Sequence, residues 1–243
     1  MSGHRFEGKV LLATGGGSGI GAAVARAYAA EGGRVAVADL TQERAALVAD
    51  ELAGSIAIAC DVADEAAVQV AVETASHALG RIDGVFNSAG HVTLAPIDEL
   101  TLADWNRMLA VHLTGTFLVC RAALPALRAV GGGTIVNVAS TAGLRARPKL
   151  AAYAAAKGGV IAFSRQLALD VAADGIRVNV VAPGSVRTPL TAPVHSDHGR
   201  PTSILGRVAE PEEIAATACF LLADDSSFYT GSVFAPDGGQ TAL

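Results

Sequence analysis

A tyrosine and a lysine with the spacing of helix neighbours are the side chains in this sequence best suited to move a proton. Tyr153 and Lys157 are four residues apart, so on a helix they share one face. A free phenol, with a pKa near ~10, exchanges protons poorly at neutral pH, but a nearby ammonium stabilises the phenolate. Ser140, at the end of a predicted strand, adds a hydroxyl that can hydrogen-bond to a substrate oxygen. Together they predict acid–base chemistry at a hydroxyl or carbonyl, although each alone also fits an exposed helix face or a turn.

A glycine-rich turn between the first predicted strand and helix suits a phosphate group. Glycines there allow positive φ angles and bring backbone N–H groups up to a pyrophosphate at the helix N-terminus. The spacing, Gly15-x-x-x-Gly19-x-Gly21, differs from the common G-x-G-x-x-G pattern, and a simple tight turn would also explain it. The predicted nucleotide contacts in this turn are Gly15, Ser18, Gly19, Ile20 and Gly21.

Asp39, at the end of the second predicted strand, strengthens the nucleotide interpretation. A carboxylate at this place accepts hydrogen bonds from a ribose 2′-OH, and its charge repels a 2′-phosphate. The glycine turn holds no lysine or arginine, and Leu40 after the acid is apolar. These residues predict NAD rather than NADP as the cofactor. The alternative for Asp39 is a capping residue for the helix that is predicted to begin near Thr41.

The composition sets the class of protein. The chain has 243 residues, which suits one domain, and its 51% hydrophobic and 17% charged content excludes intrinsic disorder as the main state. A net charge of −5 without a Lys/Arg block gives no electrostatic footprint for nucleic acid. A mean hydropathy of +0.41 is high for a chain with no expected membrane span. It predicts apolar surface buried between subunits.

The interruptions of the apolar runs and the spacing of the cysteines lead to expectations about membrane spans, metal sites and cellular compartment. Charged residues, glycines or prolines cut every apolar run short of the ~20 residues that a membrane span needs, so we expect no membrane partner. The N-terminal residues lack the apolar stretch of a signal peptide. Cys60, Cys120 and Cys219 are odd in number and irregularly spaced, which predicts no disulfide framework and no metal site. A reducing, cytoplasmic location follows as an expectation.

Short β-rich runs alternate with Ala-rich helical stretches along the whole chain. Strands are predicted at 9–13, 34–38, 55–59, 82–87, 134–138, 177–182 and 232–235. Helices are predicted at 19–31, 41–53, 64–79, 102–130, 149–173 and 211–223. The strands are continuous apolar runs, which is typical of parallel strands covered on both faces. The pattern predicts an α/β fold: one domain with a doubly wound sheet of about seven parallel strands and helices on both faces.

The segment 190–210 breaks this alternation after the sixth predicted strand. Its first part, 190–203, contains Pro193, His195, His198, Gly199 and Pro201. Because ligands bind beyond the carboxyl ends of such strands, the segment is a candidate substrate loop. A plain surface excursion is the alternative, and the composition does not separate the two.

The motifs together resemble the classical short-chain dehydrogenases/reductases over essentially the whole chain. They are 14–21, Asp61-Val62, Asn87-Ser88-Ala89-Gly90, Ser140, Tyr153-Ala154-Ala155-Ala156-Lys157 and Pro183-Gly184-Ser185-Val186-Arg187-Thr188. No single motif is specific, but the set is. The resemblance implies a Rossmann-type fold. It also implies an NAD-dependent oxidoreductase that interconverts a secondary alcohol and a ketone by hydride transfer.

The resemblance also implies a role for each matching residue. Tyr153 would be the catalytic acid/base, Lys157 would lower its pKa and bind the nicotinamide ribose, and Ser140 would orient the substrate oxygen. Tyr153 would also contact the cofactor, as Lys157 would. Further cofactor contacts would be Asp61 and Val62 at the adenine, Asn87, Ala89 and Gly90 at the floor of the site, and Pro183, Gly184, Val186 and Thr188 at the nicotinamide. The implied assembly is a homotetramer in which 102–130 and 149–173 are interface helices.

One position departs from the family pattern. Where relatives usually carry an Asn that helps to hold a water in a proton relay from the lysine, this chain has His112. Three alternatives stay open: the relay survives through the main-chain carbonyl, the imidazole joins it as a titrating member, or the substitution merely lowers its efficiency.

Two rival functions remain at this stage. One is an NADPH-dependent 3-oxoacyl-type reductase, which Asp39 and the lack of basic residues near the glycine turn argue against. The other is a dinucleotide-binding regulator without turnover, which the intact Ser140–Tyr153–Lys157 set argues against. The segments 93–96 and 144–149, with 190–203, would read the small-molecule substrate, and they carry no diagnostic pattern.

Overall fold

Seven parallel strands form one sheet at the centre of the molecule. The computed structural model describes residues 4–191 and 203–242. The strands are β1 Val10–Thr14, β2 Arg34–Asp39, β3 Ile56–Ala59, β4 Gly84–Asn87, β5 Gly133–Val138, β6 Ile176–Val181 and β7 Val233–Phe234. Their order is β3-β2-β1-β4-β5-β6-β7, and every neighbouring pair is parallel. The predicted α/β class and doubly wound sheet are confirmed.

The helices follow the predicted segments with shorter ends. They are α1 Gly19–Ala30, α2 Gln42–Ala49, α3 Glu65–Leu79, α4 Leu102–Leu109, α5 Gly115–Ala129, α6 Ala151–Asp170 and α7 Pro211–Leu222. The side chains of Thr41, Asp64 and Thr101 cap the N-termini of α2, α3 and α4 by accepting backbone N–H bonds. These caps explain where the helices begin.

Both faces of the sheet are apolar because its strands alternate side chains between two cores. In β1, Val10 and Leu12 pack on the side of α3 and α5, whereas Leu11 and Ala13 pack on the side of α1 and α7. Burial on two faces explains why the strand sequences are apolar runs.

The predicted helix 102–130 is interrupted. A π-helical turn, Ala110–Thr114, joins α4 to α5 and contains His112. The whole stretch Leu102–Ala129 is long and apolar enough to cross a membrane by length and composition alone, which corrects the expectation that no run would be. In the fold, 44% of its most apolar window is buried. Leu118 and Leu127 lie in the core.

The close approach of α1 to the glycine turn gives a first testable expectation. A Cβ on Gly21 would lie 2.1 Å from the carbonyl oxygen of Gly15, which is backbone and cannot rotate away. We expect Gly21→Ala to lower the free energy of unfolding by about 2 kcal/mol, measured by chemical denaturation. The control is Gly158→Ala in α6, where the nearest atom is 3.8 Å from the added carbon. That change should be neutral or stabilising by up to ~1 kcal/mol. Equal losses in the two variants would contradict the packing argument.

Candidate active site

A cavity of about 710 Å³ opens at the carboxyl ends of the strands. It lies beside β1 and β4, where the strand order reverses, as expected for a ligand site in a doubly wound sheet. Most of the residues proposed from sequence line it: Gly15, Ser18, Gly19, Ile20, Asp39, Asp61, Val62, Ala89, Gly90, His112, Ser140, Tyr153, Lys157, Pro183, Gly184, Val186 and Thr188. Gly21 and Asn87 do not line it.

The side chains predicted to move a proton lie together at one end of this cavity. Lys157 is buried, and its Nζ donates a 2.6 Å hydrogen bond to the Val138 carbonyl oxygen and lies 5.7 Å from the centre of the Tyr153 ring. Ser140 forms a side-chain hydrogen bond with Tyr153. The last residue of β5 therefore holds the lysine of α6 through its carbonyl, and Ser140, two residues beyond the strand, holds the tyrosine.

Burial governs the acidity of the pair. It lowers the pKa of Lys157 from 10.5 to about 7 and raises the pKa of the Tyr153 phenol, which the Ser140 hydrogen bond opposes. The sequence predicts only that a nearby ammonium lowers the phenol pKa. In the cavity itself, desolvation is the larger effect. A positive charge brought beside Tyr153 by a ligand would favour the phenolate.

His112 fills the space next to Tyr153. The two rings meet edge-to-face with centres 5.2 Å apart. With its proton on Nε2, the imidazole donates to the His91 carbonyl oxygen at 2.7 Å. Its Nδ1 is buried and has no hydrogen-bond partner among the described residues. Burial and then the charge of Lys157 hold the pKa of His112 well below its usual value, so the ring is neutral.

The neutral ring bears on the three alternatives for His112. A titrating role is disfavoured, because the imidazole would have to be charged in a buried place next to Lys157. The His112 carbonyl, the group that a relay would use, accepts a 2.7 Å hydrogen bond from the Thr116 hydroxyl. A Cβ on Gly90 would lie 2.3 Å from the ring, so the glycine makes room for the imidazole. The relay role of His112 stays a prediction.

The far end of the cavity carries Asp39. Its Oδ2 accepts a 2.9 Å hydrogen bond from the Gly17 N–H, and its Oδ1 accepts one of 2.8 Å from the Leu40 N–H. Thr41, not Asp39, caps α2, so the capping alternative is wrong. The backbone of the glycine turn fixes the carboxylate at the cavity wall instead.

Two arginines missed by the sequence analysis line the same end. Arg44 Nε lies 3.3 Å from Asp39 Oδ1, and Arg107 Nη1 lies 3.5 Å from Asp61 Oδ2. The expectation that no basic residue lies near the glycine turn is therefore wrong. Arg44 comes from the first turn of α2, which folds back over the turn, and Arg107 comes from α4.

The glycine turn fits a pyrophosphate. Gly15 and Gly19 have φ angles of +63° and +52°, and a Cβ on Gly15 would lie 2.7 Å from the Ala89 nitrogen. Ser18 begins α1 without bonding its side chain to the helix, and the first turn of α1 holds no acid. The N–H groups at this helix end are therefore open to an anion.

Comparison with known proteins agrees with this geometry. A family model described as "Enoyl-(Acyl carrier protein) reductase" matches residues 15–241. D-threitol dehydrogenase of Mycolicibacterium smegmatis is 44% identical and covers 98% of this chain and 94% of its own. Meso-2,3-butanediol dehydrogenase of Serratia marcescens is 40% identical over 98% of this chain and 96% of its own. The solved structure of a short-chain type dehydrogenase/reductase from Mycobacterium marinum superimposes with a TM-score of 0.95 at 35% identity, covering 99% of this chain and 98% of its own.

This chain belongs to the short-chain dehydrogenase/reductase family. The resemblance found in the sequence is confirmed, and with it the class of an oxidoreductase that binds a nicotinamide dinucleotide. Within residues 4–191 and 203–242, no group of three or more His, Cys, Asp or Glu side chains is placed to hold a metal ion.

In this short-chain dehydrogenase/reductase, a buried polar network supports α6, the helix that carries Tyr153 and Lys157. Asn87 Nδ2 donates to Asn137 Oδ1 at 2.9 Å, and Asn137 Nδ2 donates to Ser164 Oγ at 2.9 Å. The hydroxyl of Thr14 also donates to Asn87 at 3.3 Å. Asn87 thus links β1, β4 and β5, and Asn137 links them to α6. Asn137 stands as a polar residue inside an apolar strand, a sequence signal that could have identified the network.

The segments proposed to read the substrate are only partly described. Pro193, His195, His198, Gly199 and Pro201 lie outside the described residues. The beginning of that loop, Leu190 and Thr191, lines the cavity. From the other two segments, Leu94 lines the cavity and the Ala95 N–H donates to the Lys149 carbonyl oxygen at 3.1 Å. A backbone hydrogen bond thus joins the segments 93–96 and 144–149, and Leu94 brings the first of them to the cavity wall.

Proposed function

We propose that this chain is an NAD-dependent oxidoreductase that interconverts a secondary alcohol and a ketone by hydride transfer. The observation that carries the proposal is one cavity with Ser140, Tyr153 and Lys157 at one end and Asp39 at the other. Asp39 supports NAD because its fixed carboxylate can accept hydrogen bonds from a ribose 2′-OH.

In the proposed mechanism, the side chains move the proton and hold the substrate. The nicotinamide, when bound, supplies the hydride acceptor or donor. In the oxidation direction, Tyr153 takes the proton of the substrate hydroxyl as the hydride leaves the same carbon. Ser140 donates a hydrogen bond to the substrate oxygen and keeps it in line with the phenol. The Lys157 ammonium stabilises the phenolate, and in the reduction direction Tyr153 returns the proton to the alkoxide oxygen.

The substrate class rests on the relatives and on the cavity wall. Three of the similar dehydrogenases are named for D-threitol, meso-2,3-butanediol and cyclohexanol, and each of these compounds carries a secondary hydroxyl group. Val92, Leu94 and Leu190 give the cavity an apolar wall for the carbon skeleton. We therefore propose small secondary alcohols, vicinal diols among them, as the first substrates to test.

The two rival functions differ in the observations that favour them. The family description and Arg44 favour an NADPH-dependent acyl reductase as the second candidate. A regulator without turnover has no observation in its favour. Two turnover assays separate the three functions. One uses NAD with threitol, 2,3-butanediol and cyclohexanol, and the other uses NADPH with a 3-oxoacyl thioester.

Replacing Asp39 tests the choice of cofactor. We expect Asp39→Ala to weaken NADH binding by about 10–100-fold, since hydrogen bonds to a charged group are lost, and to weaken NADPH less. The ratio Kd(NADPH)/Kd(NADH) should fall at least about tenfold in a fluorescence titration. Asp50→Ala, at an exposed acid on the end of α2, is the control. An unchanged ratio would remove Asp39 from the cofactor site.

The assembly and location of the protein are further parts of the proposal. Leu102, Phe117 and Leu169 are exposed apolar side chains on the two helical segments that the homotetramer would use as interfaces. Cys60, Cys120 and Cys219 are buried and free, which suits a cytoplasmic protein.

A further inference from the structure

The backbone of Lys149 adopts a conformation that a non-glycine residue rarely holds. Its φ angle is +61°, and in the part of the chain that the structure describes it is the single non-glycine residue in the left-handed region. A Cβ in this region is crowded by the following carbonyl oxygen, so the conformation persists only where the surrounding structure fixes it. The Lys149 side chain is exposed and does not line the cavity. The surroundings therefore fix the backbone of this residue, and the ammonium has no part in the site.

The carbonyl oxygen of Lys149 holds one wall of the cavity. It accepts a 3.1 Å hydrogen bond from the Ala95 N–H, and the neighbouring Leu94 lines the cavity. Residues 91–96 belong to no helix or strand. Among the described residues, this is the single backbone–backbone hydrogen bond that joins 92–95 to the rest of the chain. The position of Leu94 therefore depends on it.

The other side of this hydrogen bond is tied to the residues that would move the proton. Lys149 lies between Ser140 and Tyr153 in the sequence, and α6 begins two residues after it. Tyr153, in the first turn of α6, packs against a cluster that includes the buried Met108 of α4. Because Tyr153 is fixed by this packing, the hydrogen bond from Lys149 sets the place of Leu94 relative to the phenol.

From this geometry we propose that Lys149 is a positioning residue for the substrate. Its left-handed backbone directs the carbonyl oxygen to Ala95 and so fixes the apolar wall at Leu94 with respect to Tyr153. Lys149 does not touch the substrate and acts through Leu94. The inference rests on the proposed function, because the molecule that Leu94 would contact is the carbon skeleton of the secondary alcohol.

Substitutions at this one position separate the backbone from the side chain. Glycine and asparagine adopt the left-handed conformation readily, whereas the β-branched isoleucine resists it. We expect Lys149→Gly and Lys149→Asn to keep the wild-type KM for the alcohol. Lys149→Ile should raise this KM by about tenfold, the order of the loss of one hydrogen bond. A role of the ammonium predicts equal changes in all three variants, since each of them lacks it.

Ala95→Pro removes the same hydrogen bond from the donor side, because proline has no N–H. It should raise KM as much as Lys149→Ile does. Combining the two substitutions should raise KM by less than about threefold over either one, since both remove a single contact. The proline variant also tests the proposal if Lys149→Ile does not fold.

The test is steady-state turnover with NAD and either 2,3-butanediol or cyclohexanol, with an NADH titration of each variant. A loss of folded protein lowers kcat and leaves KM unchanged, whereas a displaced cavity wall raises KM. Leu47→Ile is the control, because it adds the same β-branched side chain at an exposed position on α2 that does not line the cavity. It should keep the wild-type KM.

A raised KM in Lys149→Ile and Ala95→Pro, with wild-type KM in Lys149→Gly and Lys149→Asn and NADH affinity within about twofold, supports the proposal. An unchanged KM in the first two variants, or an equal rise in Lys149→Gly, overturns it and leaves the proposed function intact. If the wild type turns over neither alcohol with NAD, the proposed function fails, and this inference fails with it.

Discussion

Tyr153→Phe is expected to lower kcat for a secondary alcohol by about 10³-fold. The substitution removes only the hydroxyl that takes the substrate proton, and the ring that packs against His112 remains. NADH affinity should stay within about twofold, because no cofactor-recognising acid or turn is altered. Steady-state turnover and a nucleotide titration on the same preparation measure the two effects.

Tyr229→Phe is the matched control for that experiment. Tyr229 packs against Phe220 and Phe234 beside β7, and it does not line the cavity. Its loss of a hydroxyl should leave turnover unchanged. Near-normal turnover in Tyr153→Phe would exclude the phenol as the acid/base, whereas a loss of both turnover and NADH binding would point to a collapsed site.

Lys157→Met is expected to abolish turnover and to stabilise the cofactor-free protein at neutral pH. Burial lowers the pKa of Lys157 to about 7, whereas in the unfolded chain the pKa is 10.5. A protonated Lys157 therefore destabilises the folded state relative to the unfolded state. Below about pH 7 both states are protonated, and the penalty for the buried charge is largest. Between about 7 and 10.5 the unfolded state binds the extra proton, so stability of the wild type rises with pH. Methionine removes that charge, and we expect a gain of about 2 kcal/mol or more at pH 7 and a flatter rise above it.

Chemical denaturation of the cofactor-free protein across this pH range measures the effect. Lys149→Met, at an exposed lysine, is the control and should show neither change. Lower stability of Lys157→Met at pH 7 would show that the hydrogen bond to the Val138 carbonyl outweighs the cost of burying the charge.

The fold was largely accessible from local pattern. Apolar strand runs that alternate with helices predict a parallel sheet with two covered faces. In β1, for example, successive side chains pack into the two cores on opposite faces of the sheet. The interruption of the predicted helix 102–130 was not accessible. A π-helical turn needs one extra residue per turn, and the apolar spacing around His112 does not reveal it.

The features of the site that could be predicted from sequence are those set by local spacing, whereas those set by tertiary contacts could not be predicted. Tyr153 and Lys157 are neighbours through helix spacing, and the chain places them together without help from distant contacts. Arg44 reaches Asp39 only because α2 folds back over the glycine turn. Sequence order therefore suggested an acid without a basic neighbour. The acidity of Tyr153 also depends on burial, a property of the assembled cavity.

Energy transfer from the protein to bound NADH tests the central claim most directly. Trp105 is the single tryptophan of the chain, and it packs against the small cluster of α4 and α6 side chains that includes Tyr153. Excitation of Trp105 should produce saturable emission from NADH, and excess NAD should abolish it by competition. That result would establish a nicotinamide dinucleotide site within energy-transfer distance of Trp105. Folded protein that shows no saturable transfer and no displacement by NAD would contradict the account, and the catalytic assignments would fall with the cofactor site.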